Sequence, residues 1–85
     1  MKLHYTAHFL RKLRKLSPVD QACVRATLEI LEQHPDHPAL HTHPLHGSKR
    51  GMYAITVQYD LRILYAKHEQ NILLMLTVGT HDEVY

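Results

Sequence analysis

The hydrophobic period of this chain changes once, and that change restricts the fold more than any single motif. From Ala7 to about His34 apolar residues recur at helical spacing, whereas from Met52 onward they recur at every second position. Between the two regimes lies a stretch holding Pro35, Pro38, Pro44, Gly47 and Gly51, which supports neither period. Helices followed by consecutive strands give an α+β sandwich, with two helices covering one face of an antiparallel-rich sheet.

The elements can be placed more closely. Residues 2–6, KLHYT, alternate and suggest a short first strand. From Ala7, Phe9, Leu10, Leu13 and Leu16 share one helix face, and Arg11, Lys12, Arg14 and Lys15 occupy the other. Ser17-Pro18 ends this helix and starts a second, with Ser17 as N-cap, Pro18 at the first helical position and Asp20 in the first turn, where a carboxylate suits the helix dipole. Val24, Leu28 and Leu31 form its apolar stripe. Strands at 54–59 and 61–66 then flank Asp60, Glu69-Gln70-Asn71 makes a turn, and Ile72 to Val78 forms a last strand. The expected order is β-α-α-β-β-β.

A chain of 85 residues has room for one core, so residues 1–85 form a single domain. Its 45% hydrophobic content suits a globular protein and argues against disorder. The single Cys23 excludes an internal disulfide and is compatible with a reducing cytosol. Met1-Lys2-Leu3-His4 does not resemble a secretory leader, and the longest apolar run, Ile72 to Leu76, is too short to cross a bilayer. These features lead us to expect a cytoplasmic protein.

Net charge is +2 with His neutral, but it is unevenly spread. Lys2, Arg11, Lys12, Arg14 and Lys15 meet no acid through residue 16, so the first helix can present a positive face to a polyanion such as nucleic acid. Histidine is unusually frequent, with nine residues, five of them in the stretch HPDHPALHTHPLH (His34, His37, His41, His43, His46). Metal binding is one reading of that stretch. No Cys lies nearby and three prolines interrupt it, so solvated loop histidines are the other, with room for one functional His among them.

Two further constellations carry chemistry. Asp60 and Arg62 are two apart and would share one face if they lie in one strand, with Leu61, Ile63 and Tyr65 on the opposite face. After the last strand comes Gly79-Thr80-His81, where the glycine permits a turn and the strand end would aim the imidazole. Together such residues can support RNA scission without a metal. One group takes the ribose 2′-OH proton, another protonates the leaving 5′-oxygen, and a cation meets the charge growing on phosphate. His43 and His81 have the right titration range, Asp60 can orient them, Arg62 offers a guanidinium fork, and Tyr85 can stack on an unpaired base. Asp82 and Glu83 are expected to be solvated or to contact the protein's own basic face.

The element order, the segment HPLHGSKRGMY (His43 to Tyr53), the strand YDLRILY (Tyr59 to Tyr65) and the ending GTHDEVY resemble the RelE/ParE toxin superfamily. Within it, the chain looks most like the YafQ branch of messenger-RNA endonucleases. The resemblance implies a RelE-like fold and a toxin that cleaves mRNA in the ribosomal A site without a cofactor and is held inactive by a cognate antitoxin. Carried over by position, it implies catalytic roles for His43, Asp60, His81 and Tyr85, with Arg62 near the scissile phosphate. It also implies RNA or ribosome contacts for Arg11, Lys12, Arg14, Lys15, Lys49 and Arg50. Three positions depart from the YafQ pattern: Thr56, Leu61 and Thr77 stand where it has His, Trp and Arg. Two alternatives remain open at this point: a ParE-like toxin that binds DNA gyrase without nuclease activity, and a metal-binding regulatory domain built on the 34–46 histidines.

Overall fold

The computed structural model describes residues 1–85. The chain runs β1 (Lys2–Tyr5), α1 (Ala7–Arg14), α2 (Pro18–Gln33), a short helical turn at Pro38–Leu40, β2 (His43–Pro44), a second such turn at Gly47–Lys49, β3 (Met52–Gln58), β4 (Leu61–Glu69), β5 (Ile72–Thr80) and α3 (His81–Val84). The strands form one sheet in the order β1-β5-β4-β3-β2, with β1 parallel to β5 and the other pairs antiparallel. This is the expected α+β order, enlarged by the two-residue β2 and the four-residue α3.

Local chemistry starts both long helices where the sequence indicated. The Thr6 hydroxyl accepts from the Phe9 N–H, and the Ser17 hydroxyl accepts from the Asp20 N–H with Pro18 in the first turn. The β4–β5 turn is the pair Gln70-Asn71, with Glu69 opposite Ile72 and Asn71 in the left-handed region at φ 70°. Gly47 and Gly51 adopt φ of 66° and 91°, which lets the chain turn sharply on both sides of Lys49-Arg50.

β1 covers only the first part of β5, from Ile72 to Met75. Beyond it the chain turns into α1, which closes the rest of that edge. Thr6 N–H donates to the Met75 carbonyl, the Thr6 hydroxyl donates to the Leu76 carbonyl, and His8 Nε2 lies 3.1 Å from the Thr77 hydroxyl. An edge left unpaired would be a template for aggregation.

The main core lies between the two long helices and one sheet face. Phe9, Val24, Leu28 and Leu31 meet Ile55, Leu61, Ile63, Tyr65, Leu73, Met75 and Val78, with Leu40 from the connection closing one end. Leu61, Ile63 and Tyr65 all point into it, as their alternation requires. The opposite face carries a second, smaller cluster of Ala54, Leu64 and Val84, with Leu45 against it. No helix is long and apolar enough to cross a membrane.

Two local expectations are corrected. Asp60 does not share a strand with Arg62: a bulge at Val57 shifts the pairing so that Gln58 faces Leu61, and Tyr59-Asp60 becomes a two-residue loop. Gly79-Thr80 is not a turn either. Both residues remain in β5, Gly79 has no positive φ, and Thr80 is the N-cap of α3.

Candidate functional site

The site forms on the sheet face that α1 and α2 leave uncovered. Register places two rows of residues across it: His43, Ala54, Leu64 and Thr77 in one, and Thr56, Arg62 and Gly79 in the next. α3 lies over these rows, held by Val84, which is buried against Ala54 and Leu64. Small Ala54 and Gly79 leave the depth that a helix needs to approach a sheet.

Tyr85 follows α3 and is the hub. Its hydroxyl is 3.2 Å from His43 Nε2, its ring meets the His81 ring edge-on with centroids 4.4 Å apart, and its centroid is 6.2 Å from that of His43. Burial pushes the Tyr85 phenol up from its ordinary pKa, and the charge of the Arg62 guanidinium opposes part of that shift. The neighbours of His43 favour one tautomer. Its Nδ1 is 3.3 Å from the His41 carbonyl, which can only accept, so a proton on Nδ1 satisfies that contact and, in the tautomer with no second ring proton, Nε2 accepts from Tyr85. His41 supplies that carbonyl from a left-handed conformation, φ 47°, a strained geometry of the kind that recurs at functional sites.

Asp60 reaches the site from the β3–β4 loop. Its Oδ1 accepts from the backbone N–H of His81 at 3.4 Å, so it orients the start of α3 through the main chain and not through the imidazole. Arg62 stabilises the same loop: Nη1 donates to the carbonyls of Gln58, Tyr59 and Leu61 at 2.9, 3.3 and 3.2 Å. Gln58 is in turn bonded to Asp20 and Cys23 of α2. His81 Nδ1 stands 3.7 Å from Asp82 Oδ1, an ion pair whenever the imidazole is protonated.

His43, Asp60, Arg62, His81 and Tyr85 therefore come together from four separate elements. The basic residues do not act as one group. Arg11, Arg14, Lys15 and Arg50 are exposed and Lys49 is half-buried. Lys12 turns toward α3, where its Nζ is 3.0 Å from Glu83 Oε2. Glu83 thus meets the basic face, one of the two fates expected for it. The loop histidines gather less closely: the His34 and His37 rings are 6.5 Å apart, and no group of three or more His, Cys, Asp or Glu is placed to hold a metal ion.

Sequence reasoning missed Glu83 as a structural residue, although the signal was present. Thr80-His81-Asp82-Glu83 has the spacing of a capping box: the Thr80 hydroxyl accepts from Glu83 N–H and Glu83 Oε1 accepts from Thr80 N–H at 2.8 Å. That bond and the Lys12 ammonium hold the Glu83 carboxyl below the usual carboxylate range.

Comparison with known proteins agrees with this architecture. The crystal structure of YafQ from E. coli strain BL21(DE3) superposes with a TM-score of 0.83 at 19% identity, covering 99% of this chain and 97% of that one. The E. coli DinJ-YafQ toxin-antitoxin complex matches at TM-score 0.79 and 19% identity, over 99% and 96% of the two chains. The toxin-antitoxin complex RelBE2 from Mycobacterium tuberculosis matches at TM-score 0.73 and 22% identity, over 94% and 96%. At such identities these likenesses establish the fold alone. No curated protein sequence matches significantly. The family model for the YafQ bacterial toxin of type II toxin-antitoxin systems matches residues 1–85, and the chain belongs to that toxin family.

Proposed function

We propose that this toxin is an endoribonuclease that cleaves mRNA by general acid–base chemistry on the ribosome. The observation that carries the proposal is the pairing of two imidazoles across Tyr85, one of them with Nδ1 against a backbone carbonyl and Nε2 turned to the site. The surroundings suit a polymer. None of the concavities of the molecule is lined by His43, Asp60, Arg62, His81 or Tyr85, so the site is an open surface and not a small-molecule pocket.

In the proposed reaction the ribose 2′-hydroxyl replaces Tyr85 as donor to His43 Nε2, which removes its proton as the 2′-oxygen attacks phosphorus. The bond from phosphorus to the 5′-oxygen breaks, and His81 gives that oxygen a proton, leaving a 2′,3′-cyclic phosphate and a 5′-hydroxyl. Arg62 has donors beyond the Nη1 that binds the loop, and these face the charge developing on the phosphate. Tyr85 stacks on an unpaired base once its hydroxyl is released from His43. Arg11, Arg14, Lys15, Lys49 and Arg50 contact phosphates of the message or of ribosomal RNA, which makes affinity salt-dependent. Acting on ribosomes, the toxin would work in the cytoplasm. The DinJ-YafQ and RelBE2 assemblies support a cognate antitoxin as its partner.

Inducing the protein in cells and mapping transcript ends tests the proposal. Cleavage within open reading frames is expected, reduced roughly 100- to 10,000-fold in His81→Ala, the usual contribution of a positioned acid or base. Intact transcripts after induction of folded wild-type protein would refute it, and inhibition of gyrase supercoiling by the same preparation would put a gyrase-binding toxin in its place.

A further inference from the structure

We infer that Lys12 and Glu83 form a positioning pair that sets the angle of α3, and with it the mutual placement of His81 and Tyr85. The inference deepens the nuclease reading of the site and rests on it for its kinetic arm. A helix of four residues is too short to hold itself. It needs outside anchors, and those already described are Val84 in the small cluster, Asp60 at its first N–H and Tyr85 on His43.

Glu83 adds an anchor of a different kind, because each carboxylate oxygen has its own task. Oε1 accepts from the Thr80 N–H at 2.8 Å and closes the N-terminus of α3; Oε2 takes the Lys12 ammonium at 3.0 Å and ties α3 to the opposite layer of the molecule. The seat is built to fit. A Cβ at residue 79 would lie 2.8 Å from Glu83 Oε1 and 3.2 Å from its Cβ, so any other residue there would make the carboxylate shift from its place over the strand. That glycine has no positive φ to account for it. Lys12 and Glu83 keep 27% and 48% of their side-chain surface exposed, so the pair adds little to global stability and acts on the orientation of a short segment.

The test uses Lys12→Met, Glu83→Gln and Lys12→Arg in the full chain. Glu83→Gln keeps a capping acceptor for Thr80 and loses the charge. The first readout is the NMR shift that the Tyr85 ring imposes on the His81 ring protons, which needs no activity. Lys12→Met and Glu83→Gln are expected to move that shift toward its value in an unstructured peptide, and Lys12→Arg to retain it. On cleaved RNA, kcat should fall on the order of 10- to 100-fold in the first two variants with KM nearly constant, as for a small misplacement of catalytic groups. The Lys12→Met/Glu83→Gln double variant should be no worse than the poorer single. An unchanged His81 shift, with Lys12→Met affecting only KM and its salt dependence, would overturn the inference and make Lys12 a plain phosphate contact. If the wild type cleaves no RNA, the nuclease reading fails and the NMR shift alone decides the positioning role.

Discussion

Gly79 shows how a residue can be found by sequence for the wrong reason. It stood out as a glycine after a strand, where a turn is the ordinary explanation. Its actual use is room for the Glu83 carboxylate. Gly79→Ala should therefore fold, since the backbone there suits any residue, yet force Glu83 off Thr80 and Lys12; cleavage should drop more than the urea midpoint does. Glu83 also links pH to the seating of α3. Its folded pKa is lowered, chiefly by the Thr80 N–H and then by Lys12, so its contribution is complete above the usual carboxylate range and is lost as pH falls below that range, through the lowered folded value. Amide exchange of α3 in wild type and Glu83→Gln should differ at neutral pH and converge in acid. Tyr85→Phe removes only the donor on His43 Nε2 and keeps the ring against His81. Activity should survive better than in Tyr85→Ala, and retention of full activity in both would take Tyr85 out of the site. The candidate site residues could be named from sequence because His, Asp, Arg and Tyr at those positions carry a recognisable chemistry. Their partners were not, because the acceptors on which His43 and Arg62 rest are backbone carbonyls, which every residue has.

Apart from the four-residue β1, which alternates visibly, legibility among the elements followed length. α2 runs sixteen residues and β4 and β5 nine each, enough for a period to assert itself. β2 is two residues, one of them Pro44, and α3 is four; neither can show a period, and only their neighbours reveal them. The turn at Asp60 was legible from the strands on either side of it, whereas the bulge at Val57 was not, because it interrupts the register inside an otherwise continuous alternation. The same reasoning ranks the elements by resilience. Ser17→Ala removes a cap from a long, well-buried helix and should cost about 1 kcal/mol in urea unfolding. Val84→Ala acts on a helix with one buried residue, so local exchange of the α3 amides should rise well before global stability changes.

For the molecule as a whole, the order β1-β5-β4-β3-β2 makes β5 the strand on which everything else depends. It pairs with β1 on one side and β4 on the other, receives the edge of α1 and carries α3. Phe9, fully buried between α1 and the sheet, should cost about 3–5 kcal/mol when replaced by Ala. In a domain whose total is about 5–15 kcal/mol, that loss should appear as a sharply lower urea midpoint. The parallel β1–β5 contact also joins Lys2 to Ile72, residues at opposite ends of the intervening chain. During translation, therefore, a growing polypeptide that has not yet reached Ile72 has nothing to hold its first strand, no complete sheet under its helices and no mount for His81. A copy interrupted before β5 would thus be fodder for proteases and not a toxin, because the strand that organises the sheet would be missing.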